Sequence, residues 1–510
     1  MSKLKIVLLS VIVLAIAASG FLYYWWVSGE LDPYVPMFRS NCAQCHSSDL
    51  GGTTAGPALI DTELKHGDTI ADLVDSIANR HEGTGSPNFK DTLTEVEIKG
   101  LAIFIGERRL GQRFTDFRFD TQISIPDQPL ETQEYSIRIE AFATGLDSMA
   151  FSIEPLPDGS FLLTEKERGL TIISADGAQS ELITGTPQTG SSINIMGIKY
   201  GAGWLLDVAI HPDYEDNGWI YLHYTDLCPT ECVDTDPLET SMNRLDRGRI
   251  RAGAWVDVET IWRTDPAWYT SRVDTGAGGR IAFDDSGHVY ISVGIRDEYG
   301  PQDLANPSGK IHRVNLDGSV PADNPFVMSS QNDAGLPFTQ QTTWTYGHRS
   351  PQGLEWNGNQ GLVWNAEMGP RGGDEINELI PGRNYGWPYF SLGLEYSGEQ
   401  VERHKSKHIE FDSASIEQTL VDITPSPAIS SFAFYDGDRF PNWKDNMLLG
   451  SLKGSSLFRL VFNGNELVHR ETLFKDLARI RDVEIGHDGF VYLLLENETD
   501  SQIVRVVPAT

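Results

Sequence analysis

Two different spacings of apolar residues divide the chain. Ile70, Leu73, Val74 and Ile77 recur at helical intervals, and Ile98, Leu101, Ala102 and Ile105 repeat the pattern. Thr94 and Glu97, just ahead of the second set, make the sequence of a capping box. These spacings predict a small all-α domain over residues 31–113. Past a polar, proline-containing linker at 114–134 the helical period vanishes, and short alternating apolar runs follow turn residues, as in β-strands. They are "PDGSFLLTEK" from Pro157, "DNGWIYLHYTD" from Asp216, "DSGHVYISVG" from Asp285, "GNQGLVWNAE" from Gly358, "WKDNMLLGSLK" from Trp443 and "HDGFVYLLLEN" from His487. Recurrence roughly every 45 to 85 residues predicts about six units of a few strands each over 135–510. The fold expected there is an all-β six-bladed β-propeller, which leaves only short sheet edges. A large β-sandwich is the alternative, but it would not repeat one motif so regularly.

The first 30 residues follow neither pattern. After Lys3 and Lys5, residues 6–27 carry no charge and are long enough to cross a bilayer as a helix. Tyr23, Tyr24, Trp25 and Trp26 cluster at the far end, where an interfacial aromatic belt would lie. Residues 1–30 therefore read as a signal anchor, a transmembrane helix with its amino terminus in the cytoplasm. A cleaved signal peptide is the alternative, with Ala15-Ile16-Ala17 as a small-residue cleavage site. Either way the bulk of the chain is exported, to the periplasmic side of a bacterial inner membrane.

A hydrophobic content of 40% and an aromatic content of 10% suit a packed globular protein. The formal net charge of -32 argues against nucleic acid as a partner. Four cysteines remain to be placed. Cys42, Cys45 and His46, in "NCAQCHSSD", form the Cys-x-x-Cys-His pattern of covalent c-type haem attachment, with His46 placed to ligate the iron. A zinc fragment would share part of this pattern, but an export signal before it and paired helices after it favour a cytochrome c domain. Cys228 and Cys232, close together in "DLCPTECVD", are expected to form a disulfide in an oxidising compartment.

Gly56-Pro57-Ala58-Leu59 resembles the loop that covers the proximal haem face in cytochromes c. Those proteins usually take a distal methionine from a Met-Pro pair, where this chain has Ser86 in "GTGSPNF". His66, His81, a more remote side chain or water are the remaining distal candidates. Losing the thioether ligand lowers the expected potential.

The later segments "GWLLDVAIHPDY", "GGRIAFDDSGHVYISVG", "GKIHRVNLDGSVPADNPF", "TYGHRSPQGL", "EMGPRGGDEINELIPGRNYGWPY" and "RIRDVEIGHDGFVYLL" occur in that order. Together they resemble the soluble pyrroloquinoline quinone (PQQ)-dependent glucose, aldose sugar and sorbosone dehydrogenases. The resemblance implies a six-bladed propeller holding PQQ and calcium at one mouth of its channel. Its PQQ-binding positions match Arg349, Gln352, Lys453, Arg479 and Arg481, with Ser350 replacing the usual asparagine. Such cations suit a tricarboxylate quinone. Calcium beside the quinone would be held by carbonyls matching Gly369 and Pro370, and a further calcium by Asp374, Glu375 and Tyr385. Hard oxygen ligands suit this ion.

The resemblance breaks at the chemistry. In the working enzymes a histidine before the "GGR" strand takes the proton from the sugar hydroxyl, and here that position is Gly276. The orienting aspartate position is Ile295, and a helper glutamine aligns with Ala202. Glycine and isoleucine cannot accept a proton. A substitute base could be Asp274, Asp297 or His312. Two functions follow as expectations. The first is an anchored quinohaemoprotein that oxidises a sugar or other alcohol and passes electrons to its haem and on to a respiratory carrier. The second is a non-catalytic or redirected propeller that binds a ligand, with the haem as relay.

Overall fold

The structure, a computed structural model, describes residues 32–79, 87–113, 122–146, 149–195, 198–228, 240–329 and 335–509. The apolar segment 6–27, His81, Ser86 and Cys232 lie outside them. No helix among the described residues is long and apolar enough to cross a membrane. The chain divides into two compact units, Met1–Arg118 with Leu394–Gln400, and Phe119–Gly393 with Val401–Thr510.

In the first unit, helices cover Tyr34–Asn41, Ala43–His46, Ile70–Ala78 and Glu95–Arg109. The expected capping box forms: Glu97 N donates to Thr94 Oγ1 at 3.3 Å and Thr94 N donates to Glu97 Oε2 at 2.7 Å. A second box, Thr69 with Asp72, starts the helix before it. Leu101, Ala102 and Ile103 are wholly buried, and Phe104 meets Phe38 at 5.4 Å between ring centroids. Leu394 is buried in the same core. Nothing in its local sequence marks the Leu394–Gln400 segment as part of this unit.

The second unit is a ring of six blades. Their first strands are Ala150–Pro155, Leu205–Ile210, Gly278–Phe283, Pro351–Asn357, Ile429–Phe434 and Arg479–Ile485, in blades 1 to 6 respectively. Second strands follow at Phe161–Glu165, Ile220–Leu227, His288–Val293, Leu362–Glu367, Met447–Ser451 and Val491–Glu496. Each of the six repeated stretches thus supplies the second strand of one blade. Apolar clusters lie between neighbouring blades, such as Trp364, Ile376, Phe432 and Leu449 between blades 4 and 5. Covering both sheet faces in this way leaves every residue of Val491–Glu496 buried.

The ring closes on a strand from the other end of the domain. Ser136–Leu146 pairs antiparallel with Ser501–Pro508 on the outer edge of blade 6. Leu130–Glu131 pairs outside it, and Ser124 N donates to Leu477 O at 2.8 Å. Residues 122–134, expected as linker, therefore belong to the propeller.

The channel cavity, about 230 Å³, is lined from all six first strands, and its polar lining includes Glu154, Asp207, Arg280, Glu355, Ser431 and Glu484. The Arg280 guanidinium bonds Asp207 at 3.1 Å and Asp482 at 2.7 Å. Burial, then the charges of Asp207 and Asp482, pushes Glu154 up to about 8. Burial raises Asp207 to about 6 against the pull of Arg280. Burial and neighbouring carboxylates also raise Glu355 and Glu484.

These groups hold protons more tightly folded than unfolded. Their contribution to stability is complete below the ordinary carboxylate values of 3.8 and 4.5, and is lost as pH rises through about 6 for Asp207 and about 8 for Glu154. Within its window each group changes stability by ~1.4 kcal/mol per pH unit. The propeller should lose stability between about pH 5 and pH 8, and Glu154→Gln should flatten that slope. Denaturant unfolding across this range tests it, and stability that rises with pH would count against it.

Candidate functional site

First strands begin and second strands end on one rim of the ring, as the pairs Ala150↔Glu165, Gly278↔Val293, Pro351↔Glu367 and Arg479↔Glu496 show. All six first strands carry a register shift against their second strands within their first four residues. Such bulges re-aim side chains at a sheet end. The propeller residues expected at the site lie on or beside this rim.

Its charge centres on a residue that the sequence did not single out. Glu496, with its side chain fully buried, bonds Lys166 at 2.5 Å, Arg479 at 3.1 Å and Arg481 at 2.8 Å. Arg481 also donates to Gln352 Oε1 at 3.0 Å. Burial, and then the Arg481 charge, lowers Lys166 to about 7, while the three cations together hold Glu496 well below the usual carboxylate range despite its burial. Lys166 could have been found by aligning the repeats. It directly follows the second strand of blade 1, and Lys453 comes two positions after that of blade 5. Arg349 Nη1 donates to Met368 O at 3.1 Å and Gly369 O at 2.7 Å, and its buried Nε has no partner among the described residues. The Nε of Arg481 is likewise buried and unpartnered. Orphaned guanidinium donors and clustered cations are what a polycarboxylate quinone would satisfy.

The positions for base and orienter are neighbours. A Cβ built on Gly276 would stand 3.1 Å from Ile295 Cγ1. Ala202, at the helper position, is buried beside Gly203, whose N–H donates to Asp274 at 2.7 Å. None of the three can accept a proton through its side chain, and the expected substitutes are engaged elsewhere. Asp274 also takes bonds from Thr225 at 2.5 Å, Ser241 at 2.8 Å and Arg296 at 2.5 Å. Asp297 caps Tyr299 N and Gly300 N. His312 is buried between Thr342 and the Pro307 carbonyl, and burial lowers it to about 3.

Among the expected calcium ligands, Asp374 spends its carboxylate on protein donors. It accepts from Gly369 N at 3.0 Å, from Ile429 N at 2.9 Å and from Ser426 Oγ. Tyr385 Oη donates to Glu378 O and accepts from Ile380 N at 2.9 Å. Glu375 is raised by burial and by the charges of Glu367, Asp422 and Asp374, against a bond from Asn377 Nδ2 at 3.2 Å. Among the described residues no group of three or more His, Cys, Asp or Glu forms a metal cluster.

In the first unit, Cys42 and Cys45 are free thiols on consecutive turns, and His46 follows directly. His46 Nδ1 lies 2.8 Å from Pro57 O, an arrangement that fixes the ring and leaves Nε2 for iron. Gly56 brings that loop close, since a Cβ there would lie 2.8 Å from Cys45 Cβ. These residues fit covalent haem. His66 is exposed, and His81 lies outside the described residues. Cys228 is disulfide-bonded, and its expected partner Cys232 falls outside the described residues.

Residues 147–505 match the family described as Glucose / Sorbosone dehydrogenase, and residues 32–105 that described as Cytochrome C oxidase, cbb3-type, subunit III. The Escherichia coli (strain K12) protein named aldose sugar dehydrogenase YliI is 31% identical over 378 residues, which cover 73% of this chain and 93% of that one. A solved structure described as a glucose dehydrogenase is 32% identical with a TM-score of 0.62, covering 73% of this chain and 99% of its own. The PQQ-bound aldose sugar dehydrogenase of Streptomyces coelicolor is 23% identical with a TM-score of 0.53, covering 74% and 99%, and shows the fold alone.

Glu496→Gln should leave its cations facing one another and destabilise the propeller by roughly 3 to 5 kcal/mol, read by denaturant unfolding. An unchanged midpoint would mean the cluster is not held by that carboxylate. Gly56→Val should force the loop off Cys45 and cut haem attachment, measured as the haem-to-protein absorbance ratio. Full attachment in the variant would show that the close approach is dispensable.

Proposed function

Since this chain belongs to the glucose/sorbosone dehydrogenase family and carries an N-terminal cytochrome c domain, we propose that it is an exported quinohaemoprotein. In this reading it oxidises a CH–OH group of a sugar or alcohol and delivers the electrons to its own haem. The observation that carries the proposal is the convergence of Lys166, Arg479 and Arg481 on one rim carboxylate, in a chain that also bears a haem-attachment motif. Bound PQQ would supply an acceptor for the two electrons and two protons that leave a CH–OH group as it becomes C=O, and haem a carrier for those electrons one at a time.

Arg349, Gln352, Lys453, Arg479 and Arg481 would hold the quinone, with charge-assisted bonds from the guanidinium groups. Calcium would draw on the Gly369 and Pro370 carbonyls and on Glu375, whose like-charged neighbours a cation would relieve. His46 Nε2 would ligate the iron while the Pro57 carbonyl orients its ring. An anchor at residues 1–30 would keep the chain at the periplasmic face of the membrane, within reach of a respiratory acceptor. Fusing haem and propeller in one chain gives electron transfer an effective concentration instead of a bimolecular encounter.

One observation favours a second reading, that of a ligand-binding propeller without turnover. Gly276 and Ile295 stand side by side where a base and its orienter would be, and Asp274 is saturated. A positioned base contributes about 10² to 10⁴ in rate. Purified protein given PQQ and calcium should therefore reduce its haem only slowly with common aldoses. Gly276→His with Ile295→Asp should speed it at least about tenfold, because the second change also removes the side chain that a Cβ at 276 would press against. Fast reduction by the parent would mean another base serves. No gain in a double variant that binds PQQ would leave the binding reading in its place.

A further inference from the structure

A second group of cations on this rim lies outside the Glu496 cluster. Arg272 is four positions before Gly276, its backbone N–H donating to Thr270 Oγ1 at 3.1 Å. Its side chain is exposed and has no hydrogen bond or ion pair among the described residues. Arg349 and Arg403 both stand over the Trp387 ring, 5.2 and 4.9 Å from its centroid. Arg403 opens the run "RHKSKH", which also places Lys407 5.0 Å over the Tyr299 ring. The charges of Arg296, Arg349 and Arg403 all act on Arg272, as does that of Asp297. Two opposing carboxylates are occupied: Asp297 caps its own loop, and Glu298 sits 3.7 Å from Arg403.

Crowding cations on the rim of a chain with a net charge of -32 is unfavourable unless an anion joins them. The same group holds an unused donor. Trp387 is 5% exposed, and its indole N–H is buried with no partner among the described residues. Guanidinium and indole N–H groups together suit the two oxygens of a carboxylate. We propose that this part of the rim binds the carboxylate of an acidic carbohydrate, so that the substrate class is a uronic or similar sugar acid rather than a neutral aldose. Binding of the acid rests on the cation group, whereas its being a substrate rests on the redox reading above.

The test uses the full chain loaded with PQQ and calcium, titrated calorimetrically with D-glucuronate and with D-glucose. Glucuronate should bind at least about tenfold more tightly at low ionic strength, and the advantage should shrink with added salt. Arg272→Gln should remove most of that advantage, and Arg272→Lys should keep part of it. Because Arg272 is exposed, neither change should disturb folding. Equal affinities for the two sugars, or an advantage that survives Arg272→Gln, would overturn the anion site. Haem reduction, followed in the same samples, separates the two readings. Tight glucuronate binding with no haem reduction by any sugar sinks the redox reading and leaves the anion site standing. Reduction by neutral aldoses with no preference for glucuronate does the reverse.

Discussion

First strands that fan out around a channel must be held at fixed spacing, and here one guanidinium does much of that work. Arg280 of blade 3 bonds the carboxylates of Asp207 in blade 2 and Asp482 in blade 6. It also donates to the main-chain carbonyls of Gln352 in blade 4 and Arg481 in blade 6. Asp482 in turn accepts from Ile153 N of blade 1 at 2.8 Å, and Asp207 from Ile281 N at 2.8 Å. Five of the six blades thus share one buried network. Removing a member would leave buried charge without its partner, which is costly in a low dielectric. Because Arg280 grips the backbone of Gln352 and Arg481, the channel sets where two of the rim's polar side chains begin.

The rim gathers cations, and the positions expected for a base and its orienter carry no proton acceptor. Cations converge there from blades 1 and 6, and Arg349 of blade 4 directs its guanidinium at two carbonyls while one N–H goes unused. Where a base would stand there is only glycine against isoleucine. Positions expected to hold a cofactor keep their charged side chains, whereas those expected to handle a proton do not, although both lie on one rim. An oxidation depends on both. Holding a quinone depends only on the first.

Local patterns were the legible part of the sequence. Six turn-and-strand stretches marked six second strands because a turn and its alternating strand are neighbours in the chain. The capping box and Cys-x-x-Cys-His were equally local. What stayed hidden joins distant positions. Lys166 and Glu496 are 330 residues apart, and Arg280 and Asp482 are 202 apart, so no periodicity links them. Asp274 looked available as a base only because its four donors come from elsewhere in the chain. The inclusion of Leu394–Gln400 in the helical unit was hidden for the same reason, since Leu394 meets residues more than two hundred positions earlier only in the fold.

Closure of the ring by Ser136–Leu146 against Ser501–Pro508 also fixes an order of assembly. The closing strand is made early in synthesis and its partner almost last, so the circle cannot be completed until nearly the whole chain exists. Until then two β-edges stay open, and open edges recruit other strands. The helical unit draws all of its chain except Leu394–Gln400 from the first 118 residues, so most of it exists long before the ring can close. A chain threaded through a membrane from its amino terminus would thus present Cys42, Cys45 and His46 while the propeller was still an open fan.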